Sequence, residues 1–95
     1  MIYEWDGEKN ILNKFKHPPF ELGHGVGVIE AEDAVEIPAS IDGEDRVLAI
    51  AEIGGAVMAA VYVPRKNPLR RRIISVRRAS RKERKVYYEH CKDDA

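Results

Sequence analysis

Eleven basic residues and one acid, Glu83, lie between Arg65 and Lys85. Within that stretch Arg77-Arg78 come first, then Ser80-Arg81-Lys82-Glu83, then Tyr87-Tyr88. Arginine offers a planar fork of N–H donors that grips phosphate in a two-pronged way, so an Arg-rich junction suits a polyanion. Ser80 and Glu83 have the S-x-x-E spacing of a capping box, in which each side chain binds the other's backbone amide. A helix therefore starts just after Arg77 and Arg78, with Arg81 in its first turn. A strand end meeting a helix start can gather phosphate ligands. Arg77, Arg78 and Arg81, with Glu83 and Tyr87 or Tyr88, form the first candidate cluster, and Arg71 adds charge on the preceding strand. The competing reading is a solvated basic face with an Arg–Glu83 pair holding the helix start.

A second candidate is Lys16-His17, because histidine is a natural general acid or base near neutral pH. A third is Trp5-Asp6 with Lys9 and Asn13, which either brace a site or serve structure alone. Cleavage of RNA by attack of a 2′-OH on the adjacent phosphate needs a base, an acid for the leaving 5′-oxygen, and cations for the developing charge. The Lys16-His17 pair and the arginine cluster with Glu83 and Tyr87 or Tyr88 offer groups of both kinds, and Arg71, Arg78 and Arg81 could hold RNA. Plain nucleic-acid binding would need only the cations and aromatic surfaces. The residues alone leave both open. His17, His24, His90 and Cys91 lack metal-ligand spacing, so neither a metal nor another cofactor is expected.

The formal net charge of zero conceals a strong asymmetry. Residues 1–59 carry four Lys/Arg against twelve Asp/Glu, a net −8, and residues 60–95 carry twelve against four, a net +8. Such a dipole concerns partners rather than fold. At 95 residues one small domain with a modest core is expected. A single cysteine excludes a disulfide framework and suits a reducing cytoplasm. MIYEWDGEKN has neither the basic nor the apolar region of a signal peptide. The apolar run over 47–63 is broken by Glu52 and Gly54-Gly55, so no membrane span is expected.

The elements that must position these groups follow from local pattern. Residues 1–5 read as a strand. Asp6 is a candidate N-cap for a helix from about Gly7 to Phe15 or Lys16, with Ile11, Leu12 and Phe15 as its inward face. Pro18-Pro19 ends that helix. Phe20–Ala31 holds three glycines and predicts a short helix or an irregular segment. Residues 34–38 predict a strand. Two apolar runs, 46–53 and 56–64, joined by Gly54-Gly55, predict a hairpin with a type I′ turn. Residues 70–76 predict the last strand, so 34–76 form an antiparallel meander. The final helix turns Glu83, Val86, Tyr87, His90 and Cys91 to one face, and residues 92–95 form a frayed tail. Trp5 is expected to pack against the sheet.

The opening YEWDGEKNILNKFKH is similar to the W-D-x-x-K-x-x-x-N-x-x-K-H signature of BrnT-type toxins of bacterial type II toxin–antitoxin modules, through Trp5, Asp6, Lys9, Asn13, Lys16 and His17. The closing IISVRRASRKERKVYYE resembles that family's I-I-S-x-R-x-A-[ST]-x-x-E-R-x-x-Y ending, through Ile73, Ile74, Ser75, Arg77, Ala79, Ser80, Glu83, Arg84 and Tyr87. The resemblance implies an α+β, RelE-like fold: a small antiparallel sheet packed by one or two N-terminal helices and a C-terminal helix. It implies a metal-independent endoribonuclease that shuts down translation, with Lys16, His17, Arg77, Glu83 and Tyr87 at its site. It also implies a BrnA-like antitoxin partner that reaches operator DNA through its own domain. The alternative is a non-catalytic module of the same fold that binds nucleic acid or the antitoxin. Pro18-Pro19 and the glycines after it depart from the family pattern, which usually follows K-H with Gly and a clear helix.

Overall fold

A computed structural model describes residues 1–93. Five strands and three helices follow one another as β1 (Ile2–Glu4), α1 (Gly7–Lys16), α2 (Gly25–Ile29), β2 (Val35–Pro38), β3 (Val47–Ile53), β4 (Ala56–Pro64), β5 (Arg70–Arg78) and α3 (Arg81–Asp93). A single 3₁₀ turn, Leu22–His24, precedes α2. The fold is α+β. The strands form one sheet in the order β1-β5-β4-β3-β2, antiparallel except where β1 pairs parallel with β5.

The meander forms as its turn chemistry dictates. Gly54 and Gly55 have φ of 59° and 86°, the left-handed values a type I′ turn needs, and Ile53 pairs with Ala56 across it. Alternation then sorts the strand residues between two faces. Ala49, Ala51, Met58, Ala60, Tyr62, Ile73 and Val76 are buried with Leu22, Val28 and Ile29 beneath α2 and the 3₁₀ turn. Ile50, Val57 and Ala59 are buried on the opposite face with Val35, Ala79 and Tyr87. Small residues in β3 and β4 let helices approach both faces closely.

The glycine-rich segment forms a turn and a short helix, and at Gly25 the helix comes close to the sheet. A Cβ there would lie 3.0 Å from Val76 Cγ2 and 3.1 Å from Ile73 Cγ2, so α2 packs tightly on β5 at this point. The Pro18-Pro19 bond is cis.

Five expectations need correction. Helix α1 has the expected bounds but the opposite facing. Ile11, Leu12 and Phe15 are 71%, 54% and 84% exposed, and Asn13 is the residue it buries. Trp5 is half exposed rather than packed in the sheet, with its ring edge beside Gly23. Strand β5 runs two residues further than its apolar pattern, because Arg77 and Arg78 pair with Ala59 and Met58 of β4. In α3, Tyr87 faces inward as expected, but His90 is exposed. Lys92 and Asp93 belong to α3, and the remainder of the predicted tail lies outside the described residues.

Candidate functional site

Strand β1 covers only the first part of β5, pairing with Arg70, Arg71 and Arg72. Beyond that point the outer edge of β5 has backbone groups without a strand beside them. Asn13 supplies the missing partner. Its Nδ2 donates to the Val76 carbonyl (2.9 Å) and to the Phe20 carbonyl (2.8 Å), and its Oδ1 accepts from the Val76 amide (3.0 Å). One side-chain amide thus replaces a residue of β-ladder. Asn10 Oδ1 accepts from the Leu22 amide at 2.7 Å. The helix is polar on its buried side because it docks on backbone rather than on an apolar layer.

Asp6 fixes the start of α1, its carboxylate accepting from the amides of Glu8 (2.9 Å) and Lys9 (3.1 Å). The Lys9 amide bond leads the causes that hold this carboxyl below its usual range. Four residues after Asn13 the helix ends at His17, whose amide donates to the Asn13 carbonyl at 2.8 Å. The Asn13 strap therefore sets Lys16 and His17 beside the end of β5.

On the other wall the capping box forms. Glu83's amide donates to Ser80 Oγ (3.2 Å), and Ser80's amide donates to Glu83 Oε1 (2.8 Å). The same carboxylate takes both terminal nitrogens of Arg77, at 2.6 Å to Oε1 and 2.9 Å to Oε2. Arg77 comes first among the causes that lower the Glu83 carboxyl to about 2, and Glu83 raises Arg77 in turn. Both side chains are partly buried, at 29% and 16% exposure. A two-pronged pair of this kind fixes the guanidinium plane while N–H groups remain for an anion, since a guanidinium carries five.

Between these walls lies a cleft of about 430 Å³, lined by Lys16, His17, Pro18, Phe20, Arg77, Arg78 and Ser80. A hollow of about 300 Å³ adjoins it and shares Lys16 and His17, with Lys9, Leu12, Asn13, Ile74 and Ser75 completing its lining. Arg78 sits 5.8 Å above the Phe20 ring, which leaves a cation held over an aromatic surface at the cleft. Groups some 60 residues apart in sequence thus share one concavity that is cationic and partly aromatic.

The structure gathers Lys16, His17, Arg77 and Arg78 in the cleft, with Glu83 directly behind Arg77. It places the other candidates elsewhere. Tyr87 is 3% exposed, and its hydroxyl donates to Asp33 in a very short contact. That bond leads the causes that raise Tyr87, ahead of burial. Arg71 lies at the far end of β5, 4.7 Å over the Tyr62 ring and 3.4 Å from the Tyr3 hydroxyl. Burial and a bond to Glu36 push Tyr62 up to about 12. Arg81 lines a separate groove on α3 with Lys82, Arg84, Lys85 and Tyr88.

Pro18, Phe20 and Ser80 are cleft residues not singled out for the site from sequence. Phe20 had one available signal, an aromatic three residues after His17. Among the described residues no group of three or more His, Cys, Asp or Glu is placed to hold a metal ion. Among the same residues no helix is long and apolar enough to cross a membrane.

A family model described as the ribonuclease toxin, BrnT, of type II toxin–antitoxin systems matches residues 5–83. No curated protein matches the chain. The matched span begins at Trp5 and ends at Glu83, so it holds both walls of the cleft.

Proposed function

The chain belongs to the BrnT family of ribonuclease toxins of type II toxin–antitoxin systems, and we propose that the cleft between α1 and the β5–α3 junction is where it cuts RNA. One observation carries this reading: Lys16-His17 and Arg77-Arg78 come from opposite ends of the chain and line the same concavity.

The reaction is attack of a ribose 2′-oxygen on the neighbouring phosphorus, with the 5′-oxygen leaving. The Arg77 guanidinium is fixed in orientation by Glu83 and faces the phosphate, where its remaining N–H groups stabilise the charge that builds on the non-bridging oxygens. Arg78 adds a second cation, held over the Phe20 ring at the cleft. Lys16 and His17 divide the two proton transfers, one taking the 2′-hydroxyl proton and the other protonating the leaving oxygen. Every charge and proton the reaction moves has a side chain of this protein to receive it, so the step needs no metal. Glu83 acts through Arg77 rather than on RNA. Tyr87, bonded to Asp33, anchors α3.

In the cell this activity would cut RNA that translation depends on and be silenced by an antitoxin made with the toxin. The test is cleavage of a labelled transcript by purified protein, with circular dichroism to verify folding. Arg77→Ala is expected to slow cleavage by about 100-fold or more, the usual scale for a lost oxyanion donor. RNA left intact by the wild type, or cut equally fast by Arg77→Ala, would sink the assignment.

A further inference from the structure

Helix α1 presents two unlike sides. Successive residues turn by about 100°, so Ile11 and Phe15 lie opposite the buried Asn13. Ile11 at 71% and Phe15 at 84% exposure stand almost fully in solvent, with Leu12 at 54% beside them. Three large apolar side chains clustered on one exposed helix face mark a contact surface. Among the described residues nothing covers them.

The charge around this face says what does. Lys14 borders it on one side and Lys9 and Lys16 on the other, while Glu8, the one acid in α1, stands a turn before Ile11 and Leu12 on the same face. Three cations to one anion leave the face net positive, so a second copy would meet it with like net charge, which opposes pairing. Phe15 and the lysines could take an RNA base and its phosphates, but aliphatic Ile11 and Leu12 neither stack nor hydrogen-bond, so RNA leaves most of this face without a partner. A helical or extended segment with apolar residues along its middle and acidic residues at its edges matches both features.

We infer that the cognate antitoxin docks on the Ile11–Leu12–Phe15 face of α1 through such an acidic amphipathic segment. This rests on the family reading, which supplies an antitoxin as partner. The location also accounts for silencing. Leu12 lines the hollow that shares Lys16 and His17 with the cleft, so a segment seated on α1 reaches the cleft mouth. Its acidic edge then competes with RNA phosphate for Lys16.

The test is the affinity of the full chain for its purified cognate antitoxin, by calorimetry, with RNA cleavage measured separately. Ile11→Gln with Phe15→Gln is expected to weaken binding about 30-fold or more, the scale of losing one well-buried apolar anchor. Thermal stability and cleavage should not change, because neither side chain is buried or lines the cleft. Lys14→Glu is expected to slow association several-fold, most visibly at low salt. Tyr88→Ser, which removes a 53% exposed aromatic from α3, should leave binding within about twofold. Three outcomes overturn the inference: wild-type affinity in the double variant, an equal loss in Tyr88→Ser, or concentration-dependent self-association of the wild type that the double variant abolishes. A protein that fails to cut RNA yet binds antitoxin through α1 refutes the ribonuclease reading and leaves the docking surface standing.

Discussion

Asn13→Ala tests the physical link between the fold and the cleft. Asn13 is 6% exposed and makes three hydrogen bonds to backbone of other segments, at 2.8, 2.9 and 3.0 Å. Truncation leaves the amide and carbonyl of Val76 and the carbonyl of Phe20 without these partners. At about 1 kcal/mol for each lost bond, the loss of stability is about 3 kcal/mol. For a chain of this size that is a fall of about 12–24 °C in Tm. Asn13→Asp keeps an acceptor for the Val76 amide but turns a carboxylate toward two carbonyls, so it should be at least as damaging as alanine. Urea denaturation followed by circular dichroism gives the stability, and cleavage assayed well below Tm gives the function. Activity should fall by more than the unfolded fraction explains, because Lys16 and His17 lose their station opposite Arg77. A stability loss below about 0.5 kcal/mol would refute the claim that this side chain straps α1 to the sheet edge.

Glu83→Gln is expected to cost about 1–2 kcal/mol at neutral pH, after allowance for solvent screening of a partly exposed pair. The folded carboxyl sits near 2 against an ordinary 4.5, so its contribution is complete above 4.5 and disappears as pH falls toward 2. The stability gap between wild type and variant should close over that window, and a gap that persists at pH 2 would mean another cause. Tyr87→Phe should lower stability by about 1 kcal/mol through the lost bond to Asp33 while cleavage per folded molecule stays within about threefold; a collapse of cleavage with intact folding would return Tyr87 to the chemistry. Gly25→Ala and Gly27→Ala form a pair on one helix. The first forces a Cβ to 3.0 Å from Val76 Cγ2 and should cost about 1–3 kcal/mol, and the second has nothing within 4 Å and should gain about 0.5–1 kcal/mol. Equal Tm changes for the two would contradict the packing of α2 on β5.

Much of the fold is legible because its signals are local. Gly54-Gly55 between two apolar runs can form only a narrow set of turns, and Ser80 with Glu83 marks a helix start without help from the rest of the chain. The end of β5 is less legible, since Arg77 and Arg78 look like a loop until β4 is seen to be long enough to pair with them. The candidate cleft is half legible. Charge and helix start single out Arg77, and the opening signature singles out Lys16 and His17, but no local pattern says that they line one cleft. Tyr87 shows the limit of facing alone. Its spacing correctly turns it inward, yet inward here means toward Asp33 and the face of Ile50 and Val57, away from the cleft.

The facing of α1 fails for an instructive reason. Amphipathic reading assumes that a helix buries its apolar side against an apolar layer. Here the short β1 leaves part of β5 with an unmatched backbone edge, and a side-chain amide satisfies donor and acceptor at once where a leucine satisfies neither. An unpaired buried amide and carbonyl cost about 1–3 kcal/mol each, and exposing a large apolar side chain forgoes about 1.5–3 kcal/mol. Turning α1 over would therefore strand Val76 and Phe20 without giving Ile11, Leu12 and Phe15 an apolar layer to enter. The polar face docks, and Ile11, Leu12 and Phe15 stay exposed. The same rotation that opens this surface places Lys16 and His17 against Arg77, so the cleft and the exposed apolar face are two consequences of one docking geometry.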